Sequence, residues 1–206
     1  MKKIITVLLL VLIVGIFLNG TYKSKEKLEL QKSIADSLIR FHVRANSDSN
    51  EDQELKLKVK ERVLELLQEE LKTSDSIDAS RNILEENIEE IKELALEVIH
   101  SEGYDYEVSV YFENAYFPMK TYGDICLPPG EYEAFRIDIG KVEGKNWWCV
   151  IYPPLCFVDS TCAVVPDDTK AKFKEVLSED AYEAITISNK DEIEYEIEFK
   201  YLKFLN

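Results

Sequence analysis

Ile39-Arg40-Phe41-His42-Val43-Arg44-Ala45 passes directly into Asn46-Ser47-Asp48-Ser49-Asn50, and the fold is read from this junction. The first stretch alternates strictly: Ile39, Phe41, Val43 and Ala45 share one face, and Arg40, His42 and Arg44 the other. That is the period of a half-buried strand. The second stretch consists of turn formers whose side chains bond the local backbone, and it offers several N-caps for a helix starting near Glu51. Leu55, Val59, Val63, Leu66 and Leu67 then keep helical spacing.

Downstream, a second helix is predicted after Asp75-Ser76, with Ile77, Leu84, Ile88, Ile91, Ala95 and Val98 as its apolar stripe and Gly103 as its stop. Both helices are acidic on the outside. The period then changes to two. Tyr106, Val108, Val110 and Phe112 alternate, as do Glu133, Phe135, Ile137 and Ile139 after Pro128-Pro129-Gly130, and residues 147–152 form another strand. A short helix is expected over 168–177. A last strand sets Ile193, Tyr195, Ile197, Phe199 and Tyr201 against Glu192, Glu194, Glu196, Glu198 and Lys200. One polar face per strand predicts an α+β fold, an antiparallel or mixed sheet with helices packed on one face.

Upstream, Met1-Lys2-Lys3 precedes an apolar run from Ile4 to Leu18, the pattern of a secretory signal. As a helix this run covers about 22 Å, short of the roughly 30 Å hydrocarbon core. Phe17-Leu18-Asn19-Gly20-Thr21 offers no good small-x-small cleavage site, so residues 1–20 read as a signal peptide or as an uncleaved membrane anchor. Residues 21–37, with Lys23, Lys25, Lys27 and Lys32, read as a basic-rich stalk or helix, and 38–206 as a single extracytoplasmic domain. Forty acidic against 25 basic residues give a net charge of −15, which argues against nucleic acid as a partner and keeps an exported domain soluble.

Cys126, Cys149, Cys156 and Cys162 are an even set, and an exported chain can pair them in three ways. A Cys149–Cys156 disulfide across Tyr152-Pro153-Pro154 is the pairing that local spacing favours; free core thiols are the alternative. Zinc is disfavoured because no C-x-x-C pair exists. The two histidines, His42 and His100, do not form H-E-x-x-H, and no G-x-S-x-G is present. Gly140-Lys141-Val142-Glu143-Gly144-Lys145-Asn146 is too short for a P-loop and reads as a hairpin turn. The stretch from Asp48 begins like a calcium loop but has Gln53 where glycine is required. His42 with Asp48 is the one base–orienter pair available, and it would serve an extracytoplasmic hydrolase acting on cell wall. No metal and no cofactor is expected.

The chain is unusually rich in aromatic and proline residues over 116–123, 127–135 and 146–157. Trp and Tyr are common interface anchors, so these stretches suggest a protein-binding surface. In a strand, adjacent Trp147 and Trp148 point to opposite faces.

Residues 39–49, followed by Asp52-Gln53-Glu54-Leu55-Lys56-Leu57-Lys58-Val59, resemble the stage II sporulation protein R family. So do Tyr116-Phe117-Pro118, Lys120-Thr121-Tyr122-Gly123, Pro129-Gly130-Glu131-Tyr132-Glu133-Ala134 and the run from Gly144 through Trp147-Trp148-Cys149 to Cys156. Arg44 and Met119 depart from the family pattern. The resemblance implies a protein exported from the forespore into the space between the two membranes of a sporulating cell. There it is needed to activate a membrane-embedded, aspartic-protease-like enzyme that processes the precursor of sigma-E, and it is a signalling ligand with no catalysis of its own. A scaffold joining the two membranes is a third reading. The matched stretches direct attention to Arg40, His42, Asn46, Asp48, Lys120, Tyr122, Trp147 and Trp148 as candidate partner-binding residues.

Overall fold

The computed structural model describes residues 21–22, 24–156 and 164–187. The expected signal segment 1–20, Cys162 and the alternating segment 192–201 lie outside these residues. The junction read first sits at the centre of the molecule. Strand β1 (Ile39–Arg44) runs parallel to β5 (Gly130–Ile139) and antiparallel to β6 (Asn146–Tyr152), and β2 (Val108–Phe117) pairs antiparallel with β5. The order β2-β5-β1-β6 makes a mixed sheet in an α+β fold. A small hairpin, β3 (Lys120–Tyr122) and β4 (Ile125–Leu127), stands apart.

Helix α1 covers residues 24–36. Helix α2 (Asn50–Glu70) starts where the turn predicts, because the Ser49 side chain accepts from the Asp52 amide at 3.2 Å and Glu51 and Asp52 favour the positive end of the helix dipole. The single helix expected over 77–98 is two, α3 (Ile77–Glu86) and α4 (Ile88–Ser101). Asn87 breaks it: its side-chain amide donates to Ile83 O at 2.8 Å, and its ψ of 5° leaves the helical range. Helices α5 (Asp167–Val176) and α6 (Glu179–Ile185) follow β6. Among the described residues no helix is long and apolar enough to cross a membrane.

The expectation of helices on one face only is corrected. The first face carries Ile39, Phe41 and Val43, with Phe135, Ile137 and Cys149 beside them, packed under Leu55, Val59 and Val63 of α2 and Leu84, Ile91 and Ala95 of α3 and α4. A second core lies on the opposite face. There Phe117, Tyr132, Ala134 and Val150 meet Ile34 and Leu38 at the end of α1, Ile125 and Leu127 of β4, and Phe173 and Ile185 of α5 and α6. The far end of the expected stalk is thereby part of the packed domain. Alternation in β1 reports period, but both faces of a central strand become enclosed when later segments return to cover them.

Residues 140–145 are not a hairpin turn, because β5 and β6 are not neighbours. The segment crosses the end of β1 and is tied to it: Gly144 N donates to Ala45 O at 3.1 Å and Glu143 N to Asn46 O at 3.1 Å. Asn46 Oδ1 accepts from Lys141 N at 2.9 Å, and Asp48 Oδ1 from Lys145 N at 2.7 Å. Buried Asp52 anchors the same corner, accepting from Asn46 Nδ2 at 2.8 Å and Ser47 Oγ at 2.5 Å. A side chain at Gly144 would overlap the Ser47 carbonyl, which is backbone and cannot swing away. Gly144→Ala should therefore lower stability by about 1–3 kcal/mol, the usual result of overpacking. It would be read as a reduced urea midpoint at unchanged m.

Candidate functional site

Arg40, His42 and Arg44 occupy alternate positions of β1 on the second face, and each meets a different environment. Arg40 is fully enclosed. Its Nε donates to Cys149 O at 3.1 Å and one Nη to the Tyr122 hydroxyl at 3.1 Å; the other Nη has no partner among the described residues. No carboxylate touches it in the described structure. Aromatic faces surround the guanidinium instead, with Phe117 at 4.4 Å, Tyr132 at 5.0 Å and Tyr122 at 6.0 Å from its central carbon. Desolvated cation–π contacts of this kind contribute about 2 kcal/mol. Tyr122 passes the interaction on, its hydroxyl donating to Trp148 O at 3.2 Å. Burial raises the Tyr122 hydroxyl well above the ordinary tyrosine range, so it stays a donor.

His42 is buried between Phe117 and Trp148, at ring distances of 5.7 and 5.8 Å. With Asn146 Oδ1 accepting at 2.9 Å, Nε2 carries the proton and buried Nδ1 presents a bare lone pair. Protonating Nδ1 would place an enclosed charge between two arginines. Burial therefore lowers the His42 pKa, against the Asn146 hydrogen bond, and Arg44 and Arg40 add to the lowering. The Trp148 ring covers this pair from outside and carries Lys120 Nζ 4.3 Å above it. Both Trp148 and Lys120 remain half-exposed.

Arg44 is held by a two-point salt bridge to Asp138, with both contacts at 2.9 Å. Asp138 also accepts from Arg136 Nε at 2.8 Å and from the Tyr111 hydroxyl at 2.9 Å, and Arg136 pairs with Glu113. Burial, then the Asp138 contact, raises the Tyr111 pKa. These groups saturate one another.

The structure thus gathers Arg40, His42, Lys120, Tyr122 and Trp148 into one cluster. It separates the other candidates: Asn46 and Asp48 hold the crossover, and Trp147 lies on the first face, edge-on to Phe41 at 5.8 Å and beneath Lys60. The His42–Asp48 base–orienter pair is not formed, because Asp48 is turned to Lys145 N and His42 to Asn146. Nor is the Cys149–Cys156 disulfide present: both are free thiols, with Cys156 Sγ 2.9 Å from Val150 O and its pKa raised by burial, then by Cys149. Sequence reading missed Phe117 and Tyr132 of the cage and the Arg136–Asp138–Tyr111 network. The signal was available in β5, where Arg136 and Asp138 alternate with Phe135, Ile137 and Ile139. Among the described residues no group of His, Cys, Asp and Glu is arranged to hold a metal ion.

The family model for Stage II sporulation protein R matches residues 35–162. The curated Stage II sporulation protein R of Bacillus subtilis (strain 168) is 42% identical over 126 residues, 61% of this chain and 56% of that protein. The chain thus matches little more than half the length of that relative. No solved structure matches.

Two outcomes follow from the cage. Arg40→Lys keeps the charge but loses the planar fork and its stacking, and should destabilise the domain by about 2–4 kcal/mol in chemical denaturation. For His42 the folded pKa lies below the unfolded value of about 6.5, so its contribution is complete above that pH and is lost as pH falls through the folded pKa. Stability should drop as pH falls below about 6.5, and His42→Gln should flatten that part of the pH profile.

Proposed function

The chain belongs to the stage II sporulation protein R family, and on that premise we propose that it is an exported signalling ligand of endospore formation. In this reading residues 1–20 take it across the forespore membrane, and it activates a membrane-embedded, aspartic-protease-like enzyme that processes the sigma-E precursor. It acts by contact and catalyses nothing itself. One observation supports this above the rest: Trp148 and Lys120 form a half-exposed cap on the buried cage of Arg40, His42, Phe117 and Tyr132. An aromatic anchor fixed from below loses little side-chain freedom when a partner covers it. Met119, 43% exposed on the connection that leads into Lys120, extends the surface. His42 supports the same reading, since an enclosed neutral ring without a carboxylate partner is poorly suited to act as a general base.

The test is reconstitution of the protease and its precursor substrate in membranes, with the extracytoplasmic domain added from outside. Precursor cleavage should depend on the added protein. Trp148→Ala and Lys120→Glu should each reduce it at least about tenfold, the effect of losing roughly 1.4 kcal/mol of contact, with the urea midpoint of Lys120→Glu near that of the parent. Cleavage without added protein would end the proposal; full activity of both variants would move the surface elsewhere on the domain.

A further inference from the structure

Two thiols of the first core meet at one oxygen atom. Cys149 of β6 is buried beside Phe41, its neighbour on β1, and Cys156 packs against the same core. Directly after Tyr152 the chain turns back on β6, because Leu155 N and Cys156 N both donate to Val150 O, at 3.1 and 3.0 Å. The side chains converge on the same place. Cys156 Sγ lies 2.9 Å and Cys149 Sγ 3.7 Å from that oxygen, and the two thiols are hydrogen-bonded to each other. The Cys149 carbonyl is fixed in turn by Arg40 Nε. Cys126 lies elsewhere, on β4 over the opposite face, where its sulfur accepts from the Thr121 hydroxyl at 3.5 Å. Among the described residues no third Cys, His, Asp or Glu joins the pair, so a zinc ion would lack the three or four protein ligands it takes.

We propose that Cys149 and Cys156 are a redox pair: they close into a disulfide as the chain folds, by exchange with a low-molecular-weight disulfide, and the free thiols are the reduced form. This goes beyond the signalling role and does not depend on it. One thiolate attacks the reagent R–S–S–R, breaks its S–S bond and releases RS⁻. The second thiolate attacks the resulting mixed disulfide at the protein sulfur and releases the other RS⁻. Two S–H bonds are lost and one protein S–S bond forms; two electrons pass to the reagent, which takes both protons as two RSH. The exchange belongs to the folding chain, because burial, and then Cys149, holds Cys156 in its thiol form once the core has closed. Backbone hydrogen bonds to Val150 already set the two residues side by side, so closing the bond orders little further chain. The bond would tie the turn to the strand that carries Trp148 and whose Cys149 carbonyl holds Arg40.

Refolding of the full, reduced chain in detergent with oxidised and reduced glutathione tests this. Chymotrypsin cleaves after Leu155 and Phe157, so the bond should appear as a Cys149 peptide linked to a Cys156 peptide, with the link lost on reduction. With the two glutathione forms equimolar, the linked form should outnumber the free pair at least about tenfold. The same link should form to the same extent in Cys126→Ser. Recovery of Cys149 and Cys156 as free thiols from the refolded chain overturns the proposal. So does either one joined to Cys126, to Cys162 or to glutathione in place of the other.

Discussion

A guanidinium with no carboxylate beside it among the described residues stands at the centre of this structure. Moving a charge from water into protein costs several kcal/mol, and Arg40 recovers this from a carbonyl, a hydroxyl and three aromatic faces. The recovery requires parts that are far apart in the chain: Phe117 from β2, Tyr122 from the β3–β4 hairpin, Tyr132 from β5 and Cys149 from β6. Arg40 therefore does more than fill space. It fixes the hairpin against the sheet and, through the Tyr122 hydroxyl, the backbone of Trp148.

The same strand face must also solve a problem of like charges. Arg40, His42 and Arg44 project in one direction about 6.6 Å apart, two residues of strand rise. Three buried cations in such a row would repel strongly. The charge of Arg40 is spread over aromatic faces, that of Arg44 is matched by Asp138, and His42 between them stays neutral. Burial and the neighbouring arginines act together on the histidine, so its neutrality is a condition of the row being enclosed at all.

Trp148 is where this interior reaches the surface. Its backbone is held by Tyr122, its ring rests on His42 and Phe117, and Lys120 lies over it. A tryptophan supported on three sides keeps its place whether or not anything covers it. The carboxylate–arginine network at the other end of the strand is closed upon itself and offers no comparable free group.

Local chemistry was enough to read the elements from the sequence. Alternation over 39–45, turn formers over 46–50, the Ser49 cap, helical spacing from Leu55 and the opposed directions of Trp147 and Trp148 all follow from interactions within a few residues. The matched stretches likewise carried the family. Tertiary structure alone decided that the polar face of β1 would be closed. Alternation states which residues share a face; whether that face meets water depends on α1, on the β3–β4 hairpin and on α5 and α6, all remote in sequence. It also decided that β6 would lie beyond β1 and not beside β5, which turned Asn46 and Asp48 from candidate contacts into supports of the crossover. Sequence set the period of each element because period is local. Burial, charge state and neighbour were set by the return of distant segments.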